Sequence, residues 1–247
     1  PSPPAHSRVH HYLKLVRFDR PIGTLLLLWP TFWALWLAAD GLPQWKNIII
    51  FSFGVFLMRS AGCAINDFAD RKIDGRVTRT KDRPLATGSV STAEAVMIFL
   101  TLSGLAFALV LMTNSLTVML SFGGLILAGT YPFMKRYTYL PQVVLGAAFA
   151  WAVPMAYAAE TGTLSKDIWL LYLATLIWTV AYDTIYAMVD RDDDLKIGVK
   201  STAILFGKSD RIMIGILQCL TLIILYVVGF QHELSYAYNM AMTATAV

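Results

Sequence analysis

Seven apolar runs, each close to the ~20 residues that a helix needs to cross a bilayer, leave this chain few choices of fold. They fall at 22–39, 47–65, 95–112, 115–134, 137–159, 168–189 and 212–231. Their residues are Leu, Ala, Ile, Val and Met along the whole length, without the alternation of a membrane strand, so each run is expected to be a helix. The apolar share of 57% and charged share of 15% exclude an ordinary soluble domain, which holds about 45–50% and 25%. The expected fold is an all-α integral membrane bundle of seven full spans in one domain over 1–247. An eighth run, 234–247, is too short to finish a crossing and breaks off within apolar sequence, so the domain is expected to be incomplete at its C-terminal end.

Charge placement orients the spans. Arg8, Lys14, Arg17 and Arg20 precede the first span; Arg71, Lys72, Arg76, Arg79, Lys81 and Arg83 follow the second; Lys135 and Arg136 follow the fourth; and five more basic residues follow the sixth. The other side carries Lys46 and Lys166. By the positive-inside rule the basic side is cytoplasmic, which predicts a bacterial inner membrane or, as the alternative, a mitochondrial inner membrane with these loops in the matrix. The net charge of +4 is spread over loops and forms no face for nucleic acid. Residues 9–20 mix Leu13, Val16 and Phe18 with basic side chains and histidines and are expected to lie in the interface. His6, His10 and His11 there are open to a metal-ligand reading, though solvated side chains explain them as well. Cys63 and Cys219 sit singly in apolar runs and make no disulfide framework or zinc spacing.

The second span runs into NDFADRKID and the sixth into DTIYAMVDRDDD. If the first helix continues, Asn66, Asp70 and Asp74 drift by only about 40° per step and share one side. Asp190 and Asp194 repeat the four-residue spacing, with Asp183 and Tyr186 deeper on the same stripe. Asp70 to Asp190 and Asp74 to Asp194 are both separations of 120 residues, which hints at an internal repeat. Both stripes end on one membrane side. Carboxylates clustered at a membrane boundary repel one another and lose solvation, and the cation suited to resolve that is Mg²⁺, which takes one or two carboxylates and completes its shell with water and phosphate oxygens. Two facing stripes would hold two Mg²⁺ ions with a diphosphate between them; the alternative is two solvated helix ends balanced by local Arg and Lys.

Arg83, stiffened by Pro84, and the pair Lys135 and Arg136 are candidates for phosphate contacts. Tyr131 stands four residues before Lys135, one α-helical turn away, so phenol and ammonium could share a ligand. Arg59 lies two turns deeper than Asn66 inside an otherwise apolar span. It is expected either to grip an anionic aromatic substrate or to form an ion pair with Asp183. Trp29, Trp33 and Trp36 share a face of the first helix, for lipid packing or for contact with an apolar substrate tail.

NDFADRKID, YPFMK and YDTIYAMVDRDDDLKIGVKSTAILFG, with FDRPIGTLLLLWPTFWAL near the start, resemble the UbiA superfamily of intramembrane prenyltransferases over about residues 16–230. DRPIG and KSTAILFG point to its 4-hydroxybenzoate branch. The resemblance implies a bundle of nine helices around a central cavity open to lipid, a polyprenyl diphosphate and 4-hydroxybenzoate as substrates, and two Mg²⁺ ions. Asn66 and Asp70 would serve one ion and Asp190 and Asp194 the other, with Asp67 and Asp74 as supporting acids of the first metal motif. Tyr131, Lys135 and Arg136 would contact the diphosphate, and Asp183 or Asp190 would polarise the phenol. Asp82 stands before Arg83 where the family pattern has Asn. The implied reaction transfers the prenyl group to the ring carbon ortho to the hydroxyl, in ubiquinone biosynthesis. Another aromatic acceptor such as homogentisate or dihydroxynaphthoate is the alternative within the class, and an ion or polyanion transporter the alternative outside it; against the transporter, the acids lie at one interface and not at the midplane.

Overall fold

The computed structural model describes residues 5–245; the side chains of 5–7, His6 among them, fall outside the described residues. Every regular element among them is helical: α1 (Ala5–Leu15), α2 (Ile22–Ala39), α3 (Trp45–Asp70), α4 (Thr92–Val110), α5 (Ser115–Thr130), α6 (Pro141–Ala150), α7 (Ala152–Thr161), α8 (Ile168–Ile197), α9 (Thr202–Phe206), α10 (Asp210–Gln231) and α11 (Tyr236–Thr245). Seven stretches are long and apolar enough to cross a membrane. They correspond one for one to the expected spans, and the protein is a multi-pass membrane protein. The main packing partners are α3 with α4, α8 with α6 and α10, and α2 with α7.

Bulky apolar side chains point outwards and small ones inwards, as bilayer solvent demands. Met119 is 70% exposed and Phe230 82%, whereas Ala34, Ala61, Ala64, Ala150 and Ala156 are fully buried. Trp29 and Trp36 lie on the exposed face of α2, and Trp33 stacks on Trp178 of α8 with ring centroids 6.3 Å apart. The buried threonines consume their own hydroxyls. Thr175, Thr179 and Thr184 of α8 donate to the carbonyls of Leu171, Thr175 and Val180 at 2.6–2.9 Å, which satisfies a polar atom without a neighbouring helix.

Two apolar clusters set the frame. One joins Leu35 of α2, Phe51 of α3, Val153 of α7 and Leu171 of α8. The other packs Leu15 of α1 on Ala64 of α3 with Leu85, Val90 and Ala95, with Tyr12 and Phe68 against it, so both α1 and the long loop after α3 are seated on the end of α3. The α1 helix and the turn after it span 9–20.

Three local expectations are corrected. Helix α3 stops at Asp70, where the Ile73 amide turns back to the Asp70 carbonyl at 2.8 Å, so Asp74 does not continue the stripe but opens a 3-10 turn over Asp74–Arg76. The fifth span is broken at Trp151 into α6 and α7, and its indole donates to the Leu120 carbonyl at 2.7 Å. Tyr131–Arg136 is a 3-10 turn, in which residues four apart point about 120° away from each other, so Tyr131 and Lys135 are not stacked one α-helical turn apart.

Gly146 lets α6 close on α8, since a Cβ there would stand 2.8 Å from the Leu176 carbonyl oxygen. Gly146→Ala is expected to cost about 1–3 kcal/mol through overpacking, read as a lowered thermal midpoint in detergent. Gly215→Ala in α10, where no atom lies within 4 Å of the new methyl, should raise the midpoint, by up to about 1 kcal/mol of helix propensity.

Candidate active site

A cavity of about 820 Å³ opens inside the bundle. Its deep walls are apolar: Phe51 and Val55 of α3, Phe107 of α4, Phe122 of α5, Trp151, and Met155 of α7. Leu100 of α4 and Leu125 of α5 line it and are 60% and 42% exposed, so these two helices do not seal the cavity with buried side chains. Its other end is polar, lined by Arg17, Arg20, Arg59, Arg79, Asp183 and Tyr186.

The first acidic motif sits beside this polar end, and every acid in it is buried. Asp67 is 0% exposed and its carboxylate is held by Arg17 at 2.9 and 3.1 Å and by Arg83 at 3.2 Å. Asp70 pairs with Lys135, accepts from the Asn66 amide at 3.4 Å and lies 4.0 Å from Arg83; its Oδ1 is buried with no partner. Asp74 accepts both ways from Arg83, at 3.1 and 3.0 Å. The break in α3 thus costs Asp74 its place on the helix, but Arg83 draws it back to its neighbours. Burial pulls the Arg83 guanidinium down, yet the three carboxylates around it outweigh burial and hold its pKa above the ordinary value.

The second motif stands on the unbroken α8. Asp190 accepts from Arg79 Nε at 2.9 and 3.2 Å, and Arg79 Nη2 completes the fork. That hydrogen bond raises the Arg79 pKa against burial, with Asp183 adding to it and Arg83 opposing. Asp193 accepts from the Thr78 amide at 2.9 Å. Asp194 is buried near the end of the helix, and Asp183 and Tyr186 line the cavity below. Since Thr78, Arg79 and Arg83 belong to one loop, the α3–α4 connection binds both acidic helix ends at once, and the two motifs meet on one side of the bundle.

The remaining expected residues are placed as follows. Arg59 lines the cavity and contacts Cys63 Sγ and the Val16 carbonyl, the latter at 3.5 Å; no ion pair with Asp183 is formed among the described residues. Tyr131 lines the cavity and donates to the Gly62 carbonyl at 3.2 Å. Arg136 turns away from the cavity and donates to the Ala69 carbonyl, bracing the last turn of α3. A second strand of connections runs behind: the Lys200 amide donates to the Lys135 carbonyl at 3.0 Å, and the Thr202 amide to Gln142 Oε1 at 3.0 Å. Arg17 and Arg79 were legible in sequence only as loop cations; their partners lie 50 and 111 residues away, a pairing no local pattern signals.

Among the described residues no three His, Cys, Asp or Glu side chains are close enough to enclose a metal by themselves. The donor set nevertheless fits Mg²⁺, because all its donors are hard oxygens supplied one or two at a time, with the rest of the shell left for water and phosphate. The orphaned Oδ1 of Asp70 is a buried lone pair awaiting a cation.

The UbiA prenyltransferase family profile matches residues 27–247. A protein named 4-hydroxybenzoate octaprenyltransferase from Hahella chejuensis is 62% identical over 98% of this chain and 80% of its own length. One of the same name from Pseudomonas aeruginosa is 59% identical over 98% and 81%. Among solved structures, the apo form of a UbiA homolog from Aeropyrum pernix superposes with a TM-score of 0.82 at 27% identity, over 92% of this chain and 86% of that one. A UbiA homolog from Archaeoglobus fulgidus, bound to GPP and Mg²⁺, shares the fold with a TM-score of 0.74 at 19% identity, over 96% and 83%. The all-helical bundle, the two paired acidic motifs and these likenesses agree, and the chain belongs to the UbiA prenyltransferase family.

Proposed function

We propose that the protein transfers a polyprenyl group from polyprenyl diphosphate to the ring carbon ortho to the hydroxyl of 4-hydroxybenzoate, releasing diphosphate, in ubiquinone biosynthesis. The observation that carries this reading is one cavity with two chemically opposite ends: an apolar bore suited to a long hydrocarbon tail, and a polar end lined by Arg59, Arg79 and Asp183, beside which two acidic helix termini meet a set of cations. The names of the relatives at about 60% identity supply the acceptor. The excess of Lys and Arg in the loops at this end supports a cytoplasmic orientation in a bacterial inner membrane.

Asn66 and Asp70 would hold one Mg²⁺ and Asp190 and Asp194 the other, with Asp74 kept in place through Arg83. When bound, the ions would neutralise charge developing on the departing diphosphate. Lys135 and Arg79 cover Asp70 and Asp190 in the free protein; once those acids are engaged, both cations are free to turn to phosphate oxygens. Arg59 would take the carboxylate of the aromatic acid. Asp183 would accept a hydrogen bond from its hydroxyl and afterwards the proton lost from the ring carbon. The allylic C–O bond breaks with its electron pair leaving on diphosphate, and the new C–C bond forms from the ring. Phe107, Phe122, Trp151 and Met155 keep water from the allylic cation meanwhile.

Membranes carrying the protein, supplied with labelled 4-hydroxybenzoate, Mg²⁺ and prenyl diphosphates of several lengths, should yield a lipid-soluble labelled product, and chelation by EDTA should stop it. Homogentisate and dihydroxynaphthoate, supplied in parallel, should compete poorly. Asp70→Ala and Asp190→Ala are each expected to lower turnover by at least about 10²–10³-fold without loss of the folded state; normal turnover in either refutes the assignment. Arg83→Ala differs in kind. It leaves the buried Asp74 carboxylate without a partner and takes one of two guanidiniums from Asp67, so a stability loss of about 3–5 kcal/mol is expected, visible by thermal unfolding even without substrates.

A further inference from the structure

We infer that Arg17 and Asp67 form an anchor that docks the N-terminal interfacial helix on the acidic end of α3 and, through the docked turn, positions Arg59 in the cavity, which makes Asp67 a positioning residue and not a metal ligand. The contrast with Asp70, one turn further along, is sharp. Asp70 keeps a buried oxygen without a partner, whereas both oxygens of Asp67 are taken: Oδ1 by Arg17 at 2.9 Å and Arg83 at 3.2 Å, Oδ2 by Arg17 at 3.1 Å. A cation at Asp67 would have to stand beside two guanidiniums already held by this fully buried carboxylate.

Arg17 itself bears the mark of a constrained residue. It ends α1 in the left-handed region, with φ at 57°, while the Phe18 amide returns to the Leu13 carbonyl at 3.0 Å. Helix ends of this kind ordinarily use glycine or asparagine, and an arginine held there points to a demand from elsewhere. That demand is visible in its guanidinium: Nη1 donates to the Lys14 carbonyl at 2.8 Å and Nη2 forks onto Asp67. The fully buried Leu15 and the Tyr12 hydrogen bond to Glu94 at 2.6 Å seat the rest of the helix.

The neighbouring residue carries the consequence into the cavity. The Val16 carbonyl accepts from Arg59 Nη1 at 3.5 Å, and Cys63 Sγ takes the same nitrogen. Gly23, at the start of α2, leaves room for this guanidinium, since a Cβ there would meet Arg59 Nη2 at 2.5 Å. The aim of Arg59 into the cavity is therefore shared between Cys63 on its own helix and a carbonyl next to Arg17.

The test compares Arg17→Gln, Asp67→Asn and the double variant with the unaltered chain in detergent, and the first readout needs no turnover. Amide hydrogen exchange over residues 12–20 should rise in each single variant and no further in the double, because both remove one interaction. Stabilisation by Mg²⁺ plus inorganic diphosphate in a thermal-shift assay should persist in Asp67→Asn and vanish in Asp70→Asn. Loss of that stabilisation in Asp67→Asn, or unchanged exchange over 12–20, overturns the anchor. The kinetic arm rests on the aromatic-transfer reading above: the KM for the aromatic acid should rise about tenfold or more in Arg17→Gln, the scale of a misplaced hydrogen bond to a charged group, with partial recovery in Arg17→Lys. Faster exchange with an unmoved acceptor KM would sink the positioning of Arg59. A chain that prenylates no aromatic acid would instead count against the proposed function, while exchange and thermal shift still decide the anchor.

Discussion

Four carboxylates, Asp67, Asp70, Asp74 and Asp190, are gathered with their cations at one end of a membrane bundle, and the structure depends on how their mutual repulsion is met. Isolated charges in such surroundings would cost far more than the fold can supply. Here Arg83 reaches Asp67, Asp70 and Asp74, Arg17 shares Asp67, Lys135 covers Asp70, and Arg79 forks onto Asp190. Because Arg79 and Arg83 lie in one connection, neutralising the acids also ties α3 to α8. The cations that stabilise the free protein are the ones that phosphate oxygens would attract.

This arrangement explains why the polar end can be acidic and basic at once without collapsing into sealed ion pairs. Asp70 keeps one oxygen unpartnered, and Arg79, Arg59 and Asp183 still face the cavity. Away from this end the bundle closes through small side chains and self-satisfied threonines. At the far end of the bundle Glu160 binds the Asn47 side chain at 2.6 Å and the Gln44 amide at 2.9 Å, joining α7 to α3. Leu100 of α4 and Leu125 of α5 line the cavity and stay exposed.

The spans were legible because bilayer thickness and hydrocarbon solvent act on each segment separately, so length and composition suffice. The α8 stripe was legible for a similar reason: Asp183, Tyr186, Asp190 and Asp194 stay on one uninterrupted helix. Asp74, Tyr131 and Arg136 were read less well. Each lies where an α-helix gives way to a 3-10 turn or a loop, and one lost hydrogen bond redirects every later side chain. Arg136 illustrates the result, since a cation expected at the diphosphate braces the Ala69 carbonyl instead.

Sequence by itself determined that this chain is a helical membrane bundle with its basic loops on one side and two acidic motifs at one boundary, since these follow from hydropathy, charge and spacing along the chain. Tertiary structure alone decided which cation meets which acid, that the α3–α4 connection bridges both motifs, and that the N-terminal helix is fastened to the first. The Arg17–Asp67 and Arg79–Asp190 pairings join residues 50 and 111 positions apart, and Coulomb attraction between two side chains depends on where the folded backbone brings them, a distance that no local pattern encodes.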